Sequence, residues 1–294
     1  MQQPLQTSSQ SRIRFRLLKD RFAKLAFASA ALFGLLILIV LFIRITSEGA
    51  SSLSLDFLTG RFSTSPEKAG IMGAILGTFW LLAVVVPVTM IIGIGSAIYL
   101  ELYAKSGKLR AFIQTNIGNL AGIPSIVYGI LGLTVFVRAL KFGGVVLAGG
   151  LTLSLLILPI VIVAAQEALR SVPGQLGDAS DALGASKWQT IQSVILPVAF
   201  PAIMTGAILA LSRAIGETAP LVVLGIPALL IPFPGGILDR FTVLPMQIYY
   251  WTLDSALVAE YAQLAAATSI VLLVSLFILN GSAIFLRNKY SMQS

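Results

Sequence analysis

The sequence predicts an all-α membrane protein of six transmembrane helices, and three observations predict it. Of its 294 residues, 57% are hydrophobic and only 11% are charged, with a mean hydropathy of +0.93. No soluble domain of this size hides so much apolar surface, so the bilayer must be the solvent for most of the chain. The apolar residues are gathered into runs of spanning length, separated by polar links. Lysine and arginine are unevenly placed. With both termini in the cytoplasm, thirteen of the 20 fall in inner segments and six in outer ones, leaving Arg213 inside a span. The net charge of +8 is thus explained by membrane topology rather than by nucleic acid. Cysteine and histidine are absent, which removes disulfides, thiolate chemistry, most zinc sites and histidine acid–base catalysis.

Taken in order, residues 1–24 are Gln/Ser-rich and then basic, with Arg12, Arg14, Arg16, Lys19, Arg21 and Lys24. They read as a disordered cytoplasmic tail drawn to anionic headgroups, with no signal-peptide pattern. Residues 25–44 form the first span, and the turn-rich residues 45–68 read as an exposed loop. The second span covers about 70–100, with Pro87 as a kink. The link ELYAKSGKLR leads to a third span at roughly 113–137. There Pro124, flanked by Gly122 and Gly129, predicts a helix that bends and packs closely on a neighbour. The fourth span runs over 145–165 with Pro159 inside, and a polar interruption of about twenty-five residues follows.

The fifth span covers 195–224. Residues 225–260 hold Pro227, Pro232, Pro234, Gly235, Gly236 and Pro245 yet stay apolar, which suggests a re-entrant or surface-lying loop. The sixth span, 261–286, is closed by Arg287 and Lys289, and 287–294 form an inner tail. No internal repeat stands out. On this topology the polar interruption is cytoplasmic.

That interruption reads as two short helices about a glycine. Asp178 and Asp181 are expected in the first turn of one, where the macrodipole favours acids, and Gly184 stops it. Ser186-Lys-Trp-Gln189 is a capping box opening the second, which runs towards Pro197. Leu176, Ala179 and Leu183 share one face, and Trp188 projects from the second helix. These residues need either a protein partner or the membrane surface to cover them.

Here a family resemblance begins. Asp178-Ala-Ser, three residues, Gly184, nine residues and Val194-Ile-Leu-Pro197 is similar to the EAA loop of ABC-importer membrane subunits. Asp, Ser and Val stand where that motif has Glu, Ala and Ile. The resemblance implies a type I ABC-importer permease fold over about 70–286, with a coupling helix at about Gln175–Thr190 that docks in a cleft of a cytoplasmic ATPase. It assigns Asp178, Ala179, Ser180, Leu183, Gly184 and Trp188 to that docking. The sequence has no G-x-x-x-x-G-K-[ST] phosphate loop. The expectation is a transport subunit that binds no cofactor itself, with ATP and magnesium on the partner.

Arg213 lies in an otherwise apolar span, where a central arginine costs about 2.5–3.5 kcal/mol on insertion scales. Glu217 is one turn away on the same face, and Gly206 and Ala210 extend that stripe. One reading is an ion pair within the bundle, although Arg before Glu is the less favoured order. The other is an arginine fork in a water-lined path for a tetrahedral oxyanion, with Glu217 orienting it and Thr218 adding a hydroxyl. Arg170, at the inner end of the fourth span, reads as an exit residue or as an interfacial snorkelling arginine.

The stretch Leu211-Ser-Arg-Ala-Ile-Gly-Glu-Thr-Ala-Pro-Leu221 resembles the R-A-x-G-E-T segment of phosphate-importer permeases, and Gly122-Ile-Pro-Ser-Ile-Val-Tyr-Gly129 resembles their third-helix signature. The Ala-Pro-Leu ending resembles the PstA-type subunit rather than its PstC-type sister. This implies a PstC-type heterodimer partner, an ATP-binding subunit dimer and an extracytoplasmic phosphate-binding protein, in a bacterial inner membrane. In that family, arginines matching Arg213 and Arg170 are associated with the phosphate path. Sulfate or molybdate import shares the architecture. A passive anion channel would leave the EAA-like loop without a purpose. An intramembrane enzyme would need paired carboxylates, a Ser–Lys dyad or histidines at one depth, and the spans offer none.

Overall fold

The computed structural model describes residues 7–227 and 233–291, and among them the chain is helical with a single isolated β-bridge, Val145 to Arg240. It divides into two compact units, Met1–Glu48 and Gly49–Ser294. Helix α1 runs unbroken over Thr7–Gly49. The basic stretch therefore continues the span as helix, contrary to the disordered tail expected from its polarity. No glycine or proline interrupts residues 7–33, and its Arg, Lys, Leu and Ala all favour helix.

Residues 45–49 of the expected loop close α1, and in the second unit residues 50–68 stay largely exposed but are pinned by two buried phenylalanines. Ser54 caps α2 (Leu55–Thr59) by accepting from the Phe57 N–H at 3.1 Å. Phe57 and Phe62 are buried in a cluster with Ile71, Trp251 and Tyr261, and the Tyr261 hydroxyl donates to the Thr64 carbonyl. Turn residues dominate this stretch, but its two phenylalanines decide its fate by burying apolar area. Helix α3 (Met72–Ile98) passes through Pro87 and ends in a π-helical turn, Tyr99–Tyr103.

Helices α4 (Lys108–Leu120) and α5 (Ser125–Gly132) meet at 102° and form one broken span, with a π-helical continuation to Ala139. The break follows from Pro124, which has no N–H to donate and pushes Ile123 out of the helical region. The Leu120 carbonyl at the break accepts from the Ile123 N–H at 3.2 Å and from the Tyr128 hydroxyl at 2.8 Å, so the bend leaves it paired. Helix α6 (Val146–Arg170), with Pro159 inside, forms the centre of the bundle and packs against α3.

Two short helices follow, α7 (Gly174–Ala182) and α8 (Lys187–Thr190), and a π-helical stretch, Ile191–Ile195, joins them to α9 (Leu196–Gly216). The fifth span was expected to reach 224, but it stops at Gly216, and a separate α10 covers Ala219–Val223. Pro220 explains the stop. It cannot donate to the Gly216 carbonyl, and its ring would collide there.

The segment after α10 enters the core rather than lying on the surface. Asp239 and Ile237 carbonyls accept from Val146 and Leu147 N–H at 3.0 and 2.8 Å, capping two of the unpaired donors that open α6. Phe241, Val243 and Met246 are buried with Val85, Ile157 and Leu221, and Leu244–Asp254 is a helix, α11. Pro232 lies outside the described residues. Helix α12 (Glu260–Ser291) completes the chain. Five helices are long and apolar enough to cross a bilayer, and the bent α4–α5 pair brings the total to six among the described residues.

Candidate functional site

The polar knob between α6 and α9 is built as a sharp corner. Gly184 adopts φ +80° beyond the end of α7, a backbone that side chains resist, and Ala185 N–H reaches back to the Ser180 carbonyl. Ser186 and Gln189 form the reciprocal capping box. Thr190 Oγ1 contacts Ser180 Oγ at 2.9 Å and Asp181 Oδ1 at 3.2 Å, tying the two helices together. Because α7 starts at Gly174, Asp178 and Asp181 stand in its middle and last turn, not its first. The macrodipole therefore does not account for them. Leu183 is 89% exposed and Trp188 57%, with Ala179 exposed and Leu176 partly so. Pro197 lies in the first turn of α9 beside the π-helical stretch.

Arg213 is placed differently from the sequence reading. It stands in the last turn of α9 rather than mid-helix. Even so, it stands near mid-height of the spanning helices. Gly206 abuts Ala164 of the antiparallel α6, and Arg213 lies about 10 Å further along α9. The same distance back along α6 from Ala164 reaches Ile157, near the middle of Val146–Arg170. Glu217 follows the helix end in an extended conformation (φ −75°, ψ 118°) and accepts from Arg213 Nε at 3.1 Å. Its side chain is 16% exposed, while that of Arg213 is 54% exposed.

Among the described residues, neither Nη of Arg213 has a partner. Thr218 is half-buried at the start of α10, its carbonyl accepting from Leu221 and Val222 N–H. The expected stripe is divided. Gly206 and Ala210 pack inward, while Arg213 shares an open face with Thr205, Leu209 and Gly216. On the other side of α9, an apolar groove lined by Phe79, Pro87, Met204, Leu211 and Ile215 is no environment for an anion. There Ser212 Oγ donates to Asn280 Oδ1 at 2.6 Å.

Gly129 and Gly122 part company. A Cβ on Gly129 would lie 2.8 Å from Pro220 Cα, so α5 and α10 touch backbone to backbone. Gly122 has no such neighbour; with Pro124 it shapes the α4–α5 bend.

A model of binding-protein-dependent transport system inner membrane components matches residues 89–288. The chain belongs to that family. It is a PstA-type permease subunit of an ABC importer and a multi-pass inner membrane protein. It is 37% identical over 206 residues to the probable ABC transporter permease protein YqgI of Bacillus subtilis, covering 70% of each chain. It is also 37% identical over 161 residues to the phosphate transport system permease protein PstA 1 of Mycobacterium tuberculosis H37Rv. That match covers 54% of this chain and 52% of the relative, so the chain spans about half the length of that protein. A bacterial alginate ABC transporter, solved in complex with an alginate-bound periplasmic protein, superposes with a TM-score of 0.65 at 16% identity. It covers 95% of this permease and 98% of its own chain, and it shares the fold.

The permease carries a second polar cluster that the sequence reading missed. Glu101, in the π-helical turn closing α3, has a side chain only 8% exposed. Its carboxylate accepts from Arg170 at 2.6 Å, Gln166 at 2.9 Å, Arg110 at 3.0 Å and Gln114 at 3.4 Å. Arg170 also pairs with Glu167 at 2.8 Å, so it is anchored at both Nη groups. Along α6, Arg170 lies about 20 Å from the level of Arg213. The structure does not bring the two arginines together. An acid at the end of a long apolar run was the one signal pointing to Glu101.

Proposed function

We propose that this permease is the PstA-type half of an ATP-driven phosphate importer and that Arg213 contacts the anion during passage. The observation that carries this is a guanidinium at mid-height, held through Nε by Glu217 and leaving both Nη groups free. That is the planar donor pair a tetrahedral oxyanion takes up. Helix α9 ends beside it, and its side chain is half exposed. The open face with Thr205 and Leu209 requires a second permease subunit to close the path. In this reading the subunit is PstC-type. Glu217 keeps the arginine oriented while the path is empty, and its negative charge keeps anion binding weak enough for release. Thr218 supplies a hydroxyl at the same level, and Arg170 marks the inner mouth.

The knob at Gln175–Thr190 docks in a cytoplasmic ATP-binding subunit dimer, which holds ATP and magnesium, and both termini of this chain are cytoplasmic. An extracytoplasmic phosphate-binding protein delivers the solute. The relatives named as phosphate permeases support the solute, and the periplasmic protein in the alginate complex supports the mode of delivery.

The test is uptake of radiolabelled phosphate by vesicles containing the reconstituted complex, with the binding protein outside. ATP-dependent uptake that sulfate and molybdate do not compete, and that Arg213→Ala abolishes in an assembled complex, is the expected result. Uptake of a different oxyanion refutes phosphate. Uptake indifferent to ATP refutes coupling through the knob. Normal uptake by Arg213→Ala refutes the site.

A further inference from the structure

Four consecutive residues at the end of α3 each reach a different part of the cytoplasmic-side assembly. Leu100 is buried with Ile117 of α4 and Ile162 of α6. Glu101 binds Arg110 and Gln114 of α4 and Gln166 and Arg170 of α6. Leu102 packs against the cluster of Ala165, Leu169, Ala199 and Ile203, where α6 meets α9. The Tyr103 ring lies 4.9 Å from Nζ of Lys187, the first residue of α8 in the knob. A regular α-helix turns about 100° per residue and could not direct these side chains in the same way. The π-helical turn widens the helix here, as such turns often do at functional positions.

We propose that Tyr99–Tyr103 is the receiver through which displacement of the knob enters the spanning helices, with Glu101 as its positioning residue. Charge explains why Glu101 is decisive. It is a nearly buried carboxylate shared by two guanidiniums on different helices, so neutralising it leaves two like charges facing each other without the negative charge that joins them, and only Arg170 keeps a carboxylate partner, Glu167. The apolar contacts of Leu100 and Leu102 then have no polar constraint on their register. With Glu101 in place, the inner ends of α3, α4 and α6 travel with α7 and α8 as one body. The inference rests on the proposed docking of the knob on the ATP-binding subunit and does not depend on the solute.

The absence of cysteine from the chain makes the test clean. Spin labels on Leu109→Cys in α4 and Gly174→Cys in α7, both exposed positions outside the docking stretch, report their separation in the complex with the ATP-binding subunit. In the parent protein, the distance distribution stays the same with and without ATP. In Glu101→Gln, it broadens and shifts on ATP addition while ATP hydrolysis continues, and Glu101→Asp keeps the parental behaviour. Lys187→Met, which leaves the carboxylate cluster intact, gives a smaller ATP-dependent shift and serves if Glu101→Gln fails to assemble. A parental distance that changes with ATP overturns the proposal. So does a Glu101→Gln or Lys187→Met distribution identical to the parent. A complex that fails to carry phosphate leaves this measurement unaffected and counts only against the solute.

Discussion

Leu183 sits at the tip of the knob with 89% of its surface open, so its truncation separates docking from folding. Leu183→Ala removes three carbons, each worth about 0.8 kcal/mol when buried. In the free chain almost none of that is realised, and the substitution leaves the fold intact: Leu183 follows α7, and the corner is made by Gly184 and the Ser186 capping box. In a complex that seats the side chain in an ATPase cleft, the loss is about 2.4 kcal/mol, or roughly 50-fold in affinity at 1.4 kcal/mol per factor of ten. Titrating the purified ATP-binding subunit onto detergent-solubilised permease reads this directly, and a thermal melt of the permease alone is the control. An unchanged melt with affinity weakened by more than an order of magnitude is the expected result. An affinity within twofold of the parent would mean that Leu183 faces the membrane surface, and the docking face would have to be sought elsewhere.

Three further outcomes follow from the geometry. Arg213→Lys keeps the charge but loses the planar donor pair, so uptake falls by more than tenfold while ATP hydrolysis and assembly persist; transport assays in vesicles check it. Pro220→Ala restores an N–H that can bond the Gly216 carbonyl, so α9 extends through Glu217, which increases helix content and diminishes uptake. Circular dichroism and transport together test this. Gly129→Ala puts a methyl 2.8 Å from Pro220 Cα, a backbone atom that cannot step aside, and lowers stability by about 1–3 kcal/mol. A melt shows it, whereas Gly122→Ala, whose methyl would meet only the Asn119 carbonyl at 3.5 Å, melts close to the parent.

Features set by neighbouring residues were legible in the sequence. The capping box at Ser186, the αL glycine at 184, the bend at Pro124 and the six apolar runs each depend on chemistry within a turn or two, and the structure shows each of them. Errors arose where a local rule competed with something it could not weigh. The polarity of residues 7–24 suggested disorder, but helix propensity with no breaker carried α1 back to Thr7. Turn residues hid the burial of Phe57 and Phe62, which is decided by Trp251 and Tyr261 far along the chain. The acids at 178 and 181 looked like a helix start because the macrodipole favours acids in a first turn. Yet α7 begins at Gly174, directly after Pro173, whose extended backbone marks the boundary.

The site shows the same division more sharply. Arg213 and Glu217 could be paired from their spacing, and the structure pairs them. Their depth could not be read from position within an apolar run, because the run does not coincide with the helix. Pro220 ends α9 just beyond the arginine, while the packing of Gly206 on Ala164 sets its height. A charge four residues before a helix break differs physically from one at a helix centre. The backbone carbonyls freed at the break and the extended Glu217 create polar surroundings there, so the arginine need not bear the full cost of a central charge. Glu101 is the converse case. Its four partners come from α4 and α6, so no window along the sequence contains the cluster. An acid closing a membrane helix signalled only that partners must exist. The polar residues that hold the knob end of the bundle together are therefore recognisable by need from the sequence, and by identity only from the fold.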